Sequence, residues 1–263
     1  MTRYALEIEY DGAGFVGWQF QTSGVAVQQV LEAAANRLAP ATTHAAGRTD
    51  AGVHAEAQVV GLDLDRDIAP ERLQAALNFH LRPHRVAVRR AAVAPAGWNA
   101  RLSAIGRAYR YVILNRRAPP ALLAGRVWHV ERRLDHEAMH RAAQALLGRH
   151  DFTSFRAAAC QAKSPLRTLD RLDVRREGEL IVVAIAARSF LHHQVRNMVG
   201  TLAQVGQGRW PESCIAEILA ARDRSAAGPT APPEGLTLVG VRYEVDPFAG
   251  PSAGPSAPGL TVR

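Results

Sequence analysis

Asp50 stands in the string Gly47-Arg48-Thr49-Asp50-Ala51-Gly52-Val53-His54-Ala55, with an arginine two residues before it and a histidine four after. Glycine admits positive φ and close backbone approach, so the two bracketing glycines predict a tight loop that presents Asp50 rather than a helix that buries it. A guanidinium close to a carboxylate favours the ionised form, typically lowering its pKa by about 1–3 units. An anionic oxygen held out on a loop is what a carboxylate nucleophile requires. A structural turn fits the same residues, because Asp side chains bond nearby backbone N–H groups. Spacing alone leaves both readings open.

The nine-residue string resembles, without a mismatch, the active-site signature of the TruA family of tRNA pseudouridine synthases. Other segments similar to that family run from Tyr4 to about Tyr243, among them Tyr10-Asp11-Gly12, Gly17-Trp18-Gln19, Gly106 to Leu114, His150 to Arg156 and Ser189 to Gly200. The resemblance implies isomerisation of uridine to pseudouridine at positions 38, 39 and 40 in the anticodon stem-loop of tRNA, with Asp50 as the catalytic residue. It further implies that Tyr109 contacts the flipped uracil, that Leu236 packs against the target base, and that Arg196 pairs with the catalytic carboxylate. The loop from His150 is implied to touch RNA. Arg48 has two roles open to it, holding Asp50 ionised or gripping the phosphate backbone. One segment departs from the family: Trp98-Asn99-Ala100-Arg101-Leu102-Ser103-Ala104 differs at three positions from the usual Phe-His-Ala-Arg-Phe-Ser-Ala, so Trp98 and Asn99 receive no role.

The reaction so implied breaks the C1′–N1 bond, turns the base and joins C5 to C1′. It has no redox step and no leaving phosphate, so neither a cofactor nor a metal is called for. Composition is compatible. The 263 residues carry a net charge of +8, which suits a polyanionic partner. Lys163 is the single lysine, so 31 of the 32 basic residues are arginine, a bias that a GC-rich genome also produces. Charge alone therefore supports a second reading equally, a non-catalytic basic RNA-binding protein. Cys160 and Cys214 are far apart and lack metal-ligand spacing. No apolar run approaches 18 residues and no basic-then-apolar leader opens the chain, so the expectation is a cytoplasmic protein without a membrane partner.

The elements that must position these residues follow from periodicity. Tyr4, Leu6, Ile8 and Tyr10 alternate with Ala5, Glu7 and Glu9, which predicts a half-buried strand. Val27, Val30, Leu31, Ala34 and Leu38 mark a helix face closed by Pro40, and a strand follows the signature loop. Pro70 suits the first turn of a helix carrying Leu73, Leu77 and Leu81. Val86 and Val88 begin a strand flanked by Arg85, Arg89 and Arg90, either a solvated edge or a phosphate-facing rim. Tyr109, Tyr111 and Ile113 share one strand face. Asp135 caps a helix expected to run to Gly148, and a hairpin turns at Glu177-Gly178 into the apolar run Leu180 to Ala187, a central strand. Val195, Val199, Leu202 and Val205 define a helix face with Arg196 beside it, Pro211 opens another helix, and Leu236 begins a last strand.

Strands and helices mix without regular alternation, which favours α+β with largely antiparallel sheet. The family resemblance adds two similar mixed α/β halves flanking a central cleft, usually in a homodimer. The halves are placed at 1–102 and 103–246, with a Gly/Pro/Ser tail over 247–263 that cannot build a core.

Three motifs are set aside. Gly12-Ala13-Gly14-Phe15-Val16-Gly17 follows a strand as a dinucleotide fingerprint would, but the helix starts only near Val25 instead of within the glycines. His136-Glu137-Ala138-Met139-His140 spells a zincin string, yet no third ligand or cleft accompanies it, and a solvated helix face is the better account. His192 and His193, read as helical neighbours, would diverge by about 100° and so not chelate one ion.

Overall fold

The computed structural model describes residues 1–249 and resolves them into two compact units, Met1–Arg107 with 238–249, and Ala108–Thr237. The glycine- and proline-rich residues from Gly250 lie outside the described residues.

The first unit begins with β1 (Thr2–Tyr10), α1 (Val27–Ala35), β2 (Ala41–Ala45), β3 (His54–Leu64), α2 (Pro70–His80) and β4 (Val86–Val93). β5 (Ala104–Leu114) then carries the chain into the second unit. There follow β6 (Trp128–His129), α3 (His136–Ala143), β7 (Gly148–Asp151), β8 (Leu166–Glu177), β9 (Leu180–Ala187), α4 (Gln194–Gly206) and α5 (Cys214–Ala221). β10 (Leu236–Tyr243) returns to the first unit from Leu238. This moves the division from the expected 102/103 to 107/108 and takes the last strand away from the second half. The cause is strand pairing, since β10 lies beside β3 in the order β4-β1-β3-β10.

In the first unit β1 pairs antiparallel with both β3 and β4, and β2 pairs antiparallel with β3. Tyr4, Leu6 and Ile8 are fully buried, as their alternation requires, and so are Leu31 of α1 and Leu73 and Leu77 of α2. Ala5, on the opposite face, is equally buried. It belongs to a second apolar cluster with Ala46, Val59, Trp98, Ala100, Ala104 and Tyr243, in which the Trp98 and Tyr243 rings lie 5.5 Å apart. The sheet therefore has two covered faces, and Trp98 is a core residue. Arg89 and Arg90 of the edge strand β4 face Glu9 and Glu7 of β1 at 3.7 and 3.9 Å. Phe248, within the stretch expected to be a loose tail, packs under the Arg90 guanidinium at 4.5 Å.

In the second unit the order is β5-β9-β8-β7, with β7–β8 and β8–β9 antiparallel and β6 parallel to β5. β9 is central, and Ile181 to Ala187 are all buried. Asp135 caps α3 by accepting from the Glu137 and Ala138 N–H groups. The helix ends at Ala143 and a 3-10 turn carries the chain through Leu146, so Gly148, at φ +86°, opens a strand instead of closing a long helix. Within the zincin-like string, His140 Nδ1 accepts from the Val174 N–H of β8 at 3.2 Å, which ties that imidazole to the sheet.

Candidate active site

The signature loop joins β2 to β3 and is fastened from both ends. Before it, the Ala46 N–H donates to Val59 O (2.8 Å), and the Ala46 carbonyl accepts from the buried guanidinium of Arg107 (2.7 Å). The Gln58 amide donates to Gly47 O at 2.7 Å. After it, the Gly12 N–H donates to His54 Nδ1 (2.9 Å), with Asp11 Oδ1 3.1 Å from the same nitrogen and Arg85 3.0 Å from Asp11 Oδ2. Between these anchors Thr49 is buried, and its hydroxyl meets the Tyr10 hydroxyl at 2.8 Å. Burial pushes the Tyr10 phenol up to about 12, so it serves here as a neutral hydrogen-bonding group. Arg48 is exposed and Asp50 half-buried, consistent with a loop that offers its carboxylate outward.

The glycine segment that follows β1 is the other half of this construction. The Trp18 N–H donates to Thr49 O at 3.1 Å, and the Gly52 N–H donates to Phe15 O at 3.3 Å. A Cβ on Gly17, whose φ is +104°, would lie 2.6 Å from Thr49 O and 3.1 Å from the Asp50 carbonyl carbon. A Cβ on Gly12 would lie 2.2 Å from Val53 O. Real Cβ atoms do not approach backbone so closely, so only glycine lets this segment lie flat against the signature loop. The G-x-G-x-x-G string is thus not a nucleotide cradle, and α1 begins ten residues after its last glycine, at Val27. Its glycines support the loop. Of the two glycines in the signature, Gly52 has the predicted positive φ (+76°); Gly47 does not, and a side chain there would meet open space.

Tyr109, Arg196 and Leu236 belong to the second unit. Tyr109 is buried on β5, and its ring is fixed edge-on by Phe190 at 5.3 Å and 87°. Phe190 lies in the family-like segment Ser189 to Gly200, where sequence reading gave it no part. Arg196 is the third residue of α4, and its Nε donates to Ala231 O at 2.8 Å while the Ala231 N–H returns a bond to Arg196 O at 3.1 Å. The segment bearing Ala231 can reach the helix because position 200 is glycine: a Cβ there would lie 1.8 Å from Pro229 O. Asn197, fully inside, holds three pieces of chain. Its amide donates to Phe155 O (2.9 Å), and its oxygen accepts from Thr230 Oγ1 (2.6 Å) and Arg224 (3.2 Å). Leu236 is buried at the start of β10, behind a turn in which the Tyr111 hydroxyl donates to Pro232 O at 2.7 Å.

His192 and His193 correct the sequence reading. They precede α4, with His193 in the left-handed region at φ 60°, and their rings are 4.0 Å apart instead of turned away from each other. The helical angle that argued against a shared ion therefore does not apply to them. A left-handed non-glycine residue at the start of α4 is a conformation found disproportionately at functional sites.

The chain matches the family model described as "tRNA pseudouridine synthase" over residues 7–101 and 142–244. It is 66% identical over 252 residues to a tRNA pseudouridine synthase A of Acidiphilium cryptum, covering 94% of this chain and 99% of that one. It is 60% identical over 245 residues to the protein of that name from Rhodospirillum centenum (92% and 100% covered), and 54% identical over 253 residues to the one from Gluconobacter oxydans (94% and 92%). A loop that clamps its aspartate from both sides, within a chain so similar to these proteins over nearly its whole length, leaves one assignment: the chain belongs to the tRNA pseudouridine synthase family.

Proposed function

We propose that this chain isomerises uridine to pseudouridine in tRNA with Asp50 as its catalytic carboxylate. The family membership carries the reaction. The observation that supports the residue is the backbone clamp: Gly12, Gly17, Thr49 and His54 fix the loop on either side of Asp50 while leaving its side chain half-exposed. Such pre-positioning lowers the entropy lost on reaching a reactive geometry.

In the reaction the C1′–N1 bond breaks, the uracil turns, and C5 joins C1′; the C5 proton is lost and N1 gains one, so the product is an isomer. Asp50 acts at the sugar, either as nucleophile on C1′ or as base. Tyr109 and Leu236 hold the uracil, and Tyr109 offers a phenol for removal of the C5 proton. Extracting a base from its stack costs a few kcal/mol, and stacking on an aromatic ring returns about 1–3 kcal/mol. The two are comparable, so an aromatic residue held as rigidly as Tyr109 makes the extraction affordable. Arg48 and Arg196 supply positive charge for the anionic substrate.

The substrate region we propose is the anticodon stem-loop, at positions 38, 39 and 40, with the enzyme a homodimer in the cytoplasm. Among the described residues no helix is long and apolar enough to cross a membrane. Carbodiimide mapping of an unmodified tRNA transcript after incubation with the protein tests the site of action. Stops confined to the anticodon arm are the expected result; stops elsewhere would retain the reaction and overturn the position.

A further inference from the structure

The first unit carries a groove of about 470 Å³ between α1 and the end of α2, lined by Arg37 just beyond α1 and by Phe79, His80, Arg82 and His84 around the end of α2. Its composition is unusual for a solvated helix face. Phe79 is 68% exposed, with its ring held edge-on by His80 at 5.2 Å. Arg37 and Arg82 are exposed, and neither meets a carboxylate among the described residues. Elsewhere in the unit Arg3, Arg85, Arg89 and Arg90 each face one. No acidic residue lines the groove. Glu32, the acid of α1 nearest to it in sequence, is turned to Thr43 of β2, whose hydroxyl donates to it at 2.7 Å.

The groove adjoins the clamp around the signature loop. The His84 ring lies 6.4 Å from that of Phe15, and the Phe15 carbonyl accepts the Gly52 N–H.

We propose that the groove is a second tRNA contact of this enzyme, in which Arg37 and Arg82 take backbone phosphates and Phe79 takes an unpaired base. The inference rests on the tRNA reading above. Charge selects this occupant. Two guanidiniums without a carboxylate partner would repel their counterparts across an interface with a second copy of the chain, whereas a phosphate backbone neutralises them and releases counterions. An exposed phenyl ring beside such a cationic track is the usual stacking platform for a base, independent of sequence.

The test compares wild type, Arg37→Gln/Arg82→Gln, Phe79→Ala and, as a control on the same helix outside the groove, Arg72→Gln. Each is first checked for an unchanged thermal transition and sedimentation coefficient. With unmodified tRNA the double variant is expected to raise KM about tenfold with kcat unchanged. Its binding should fall less steeply with salt, the slope of log K against log[salt] dropping by about 1.5 for two lost phosphate contacts. Phe79→Ala is expected to raise KM about fivefold without changing the slope, and Arg72→Gln to behave as wild type. An unchanged KM and salt slope in the double variant would overturn the proposal. So would dissociation of the double variant into smaller species, which would assign the groove to a protein contact. Binding is measured independently of turnover, so a wild type that forms no pseudouridine would defeat the functional reading while the salt slope still decides the groove.

Discussion

Gly17 and Asp50 are separated by 33 positions in the chain, yet the backbone of one is seated on the peptide of the other, so closely that a single methyl group at Gly17 would overlap the Thr49 carbonyl at 2.6 Å. The signature loop is shaped by a segment that meets it through the bare backbone of its glycines.

Two glycines of that segment separate conformational strain from contact. Gly14 and Gly17 both have positive φ, but a Cβ on Gly14 meets nothing within 4 Å. Gly14→Ala is expected to cost about 1 kcal/mol of stability and leave turnover nearly intact. Gly17→Ala is expected to cost about 2–4 kcal/mol and to depress kcat at least tenfold, because the Asp50 peptide must shift. Urea denaturation and initial rates on tRNA check both. Equal effects from the two variants would remove the loop-support role of Gly17.

Alkaline pH should unfold this protein early. Burial holds the Tyr10 phenol up at about 12, and burial also raises those of Tyr111 and Tyr243. A phenol in the unfolded chain ionises near 10. The folded state therefore keeps protons that the unfolded state loses, and stability is full below pH 10 and falls as pH rises toward the folded values. Tyr10 alone should account for about 2–3 kcal/mol between pH 10 and 12. Denaturant titrations at pH 9, 10, 11 and 12 should show this decline, with a shallower one in Tyr10→Phe. The same slope in both proteins would contradict it.

Asn197 should matter more than its neutral side chain suggests. Asn197→Ala leaves Phe155 O, Thr230 and Arg224 without their shared partner inside the second unit. A loss of about 3 kcal/mol is expected. Because the released segment includes Ala231, which receives the Arg196 Nε donor, KM for tRNA should rise as well. Chemical denaturation and steady-state kinetics measure the two effects; a variant as stable as wild type would show that the three strands of chain are held by other means.

These residues also show where sequence reasoning reached and where it stopped. The alternation of Tyr4, Leu6, Ile8 and Tyr10, the apolar run of β9 and the Asp135 cap are local signals; β1 and β9 formed where their patterns placed them, and α3 starts at its cap but ends at Ala143, short of the expected Gly148. Asp50 was legible because its loop is a contiguous string. The support for that loop was not, because it depends on contacts between distant stretches: Gly12 against Val53, Tyr10 against Thr49, Arg107 against Ala46. A rejected nucleotide motif held the answer in its glycines, whose close approach is visible only once β1 and β3 are paired. The β10 return and the left-handed His193 are likewise tertiary outcomes that no periodicity encodes.

The most direct test of the central claim is release of tritium from tRNA labelled at uracil C5, measured for wild type and Asp50→Asn alongside tRNA binding. The account predicts release by wild type, a rate lower by roughly 10³-fold or more in the variant, and equal binding by both. Release by Asp50→Asn at a rate near that of wild type would contradict it.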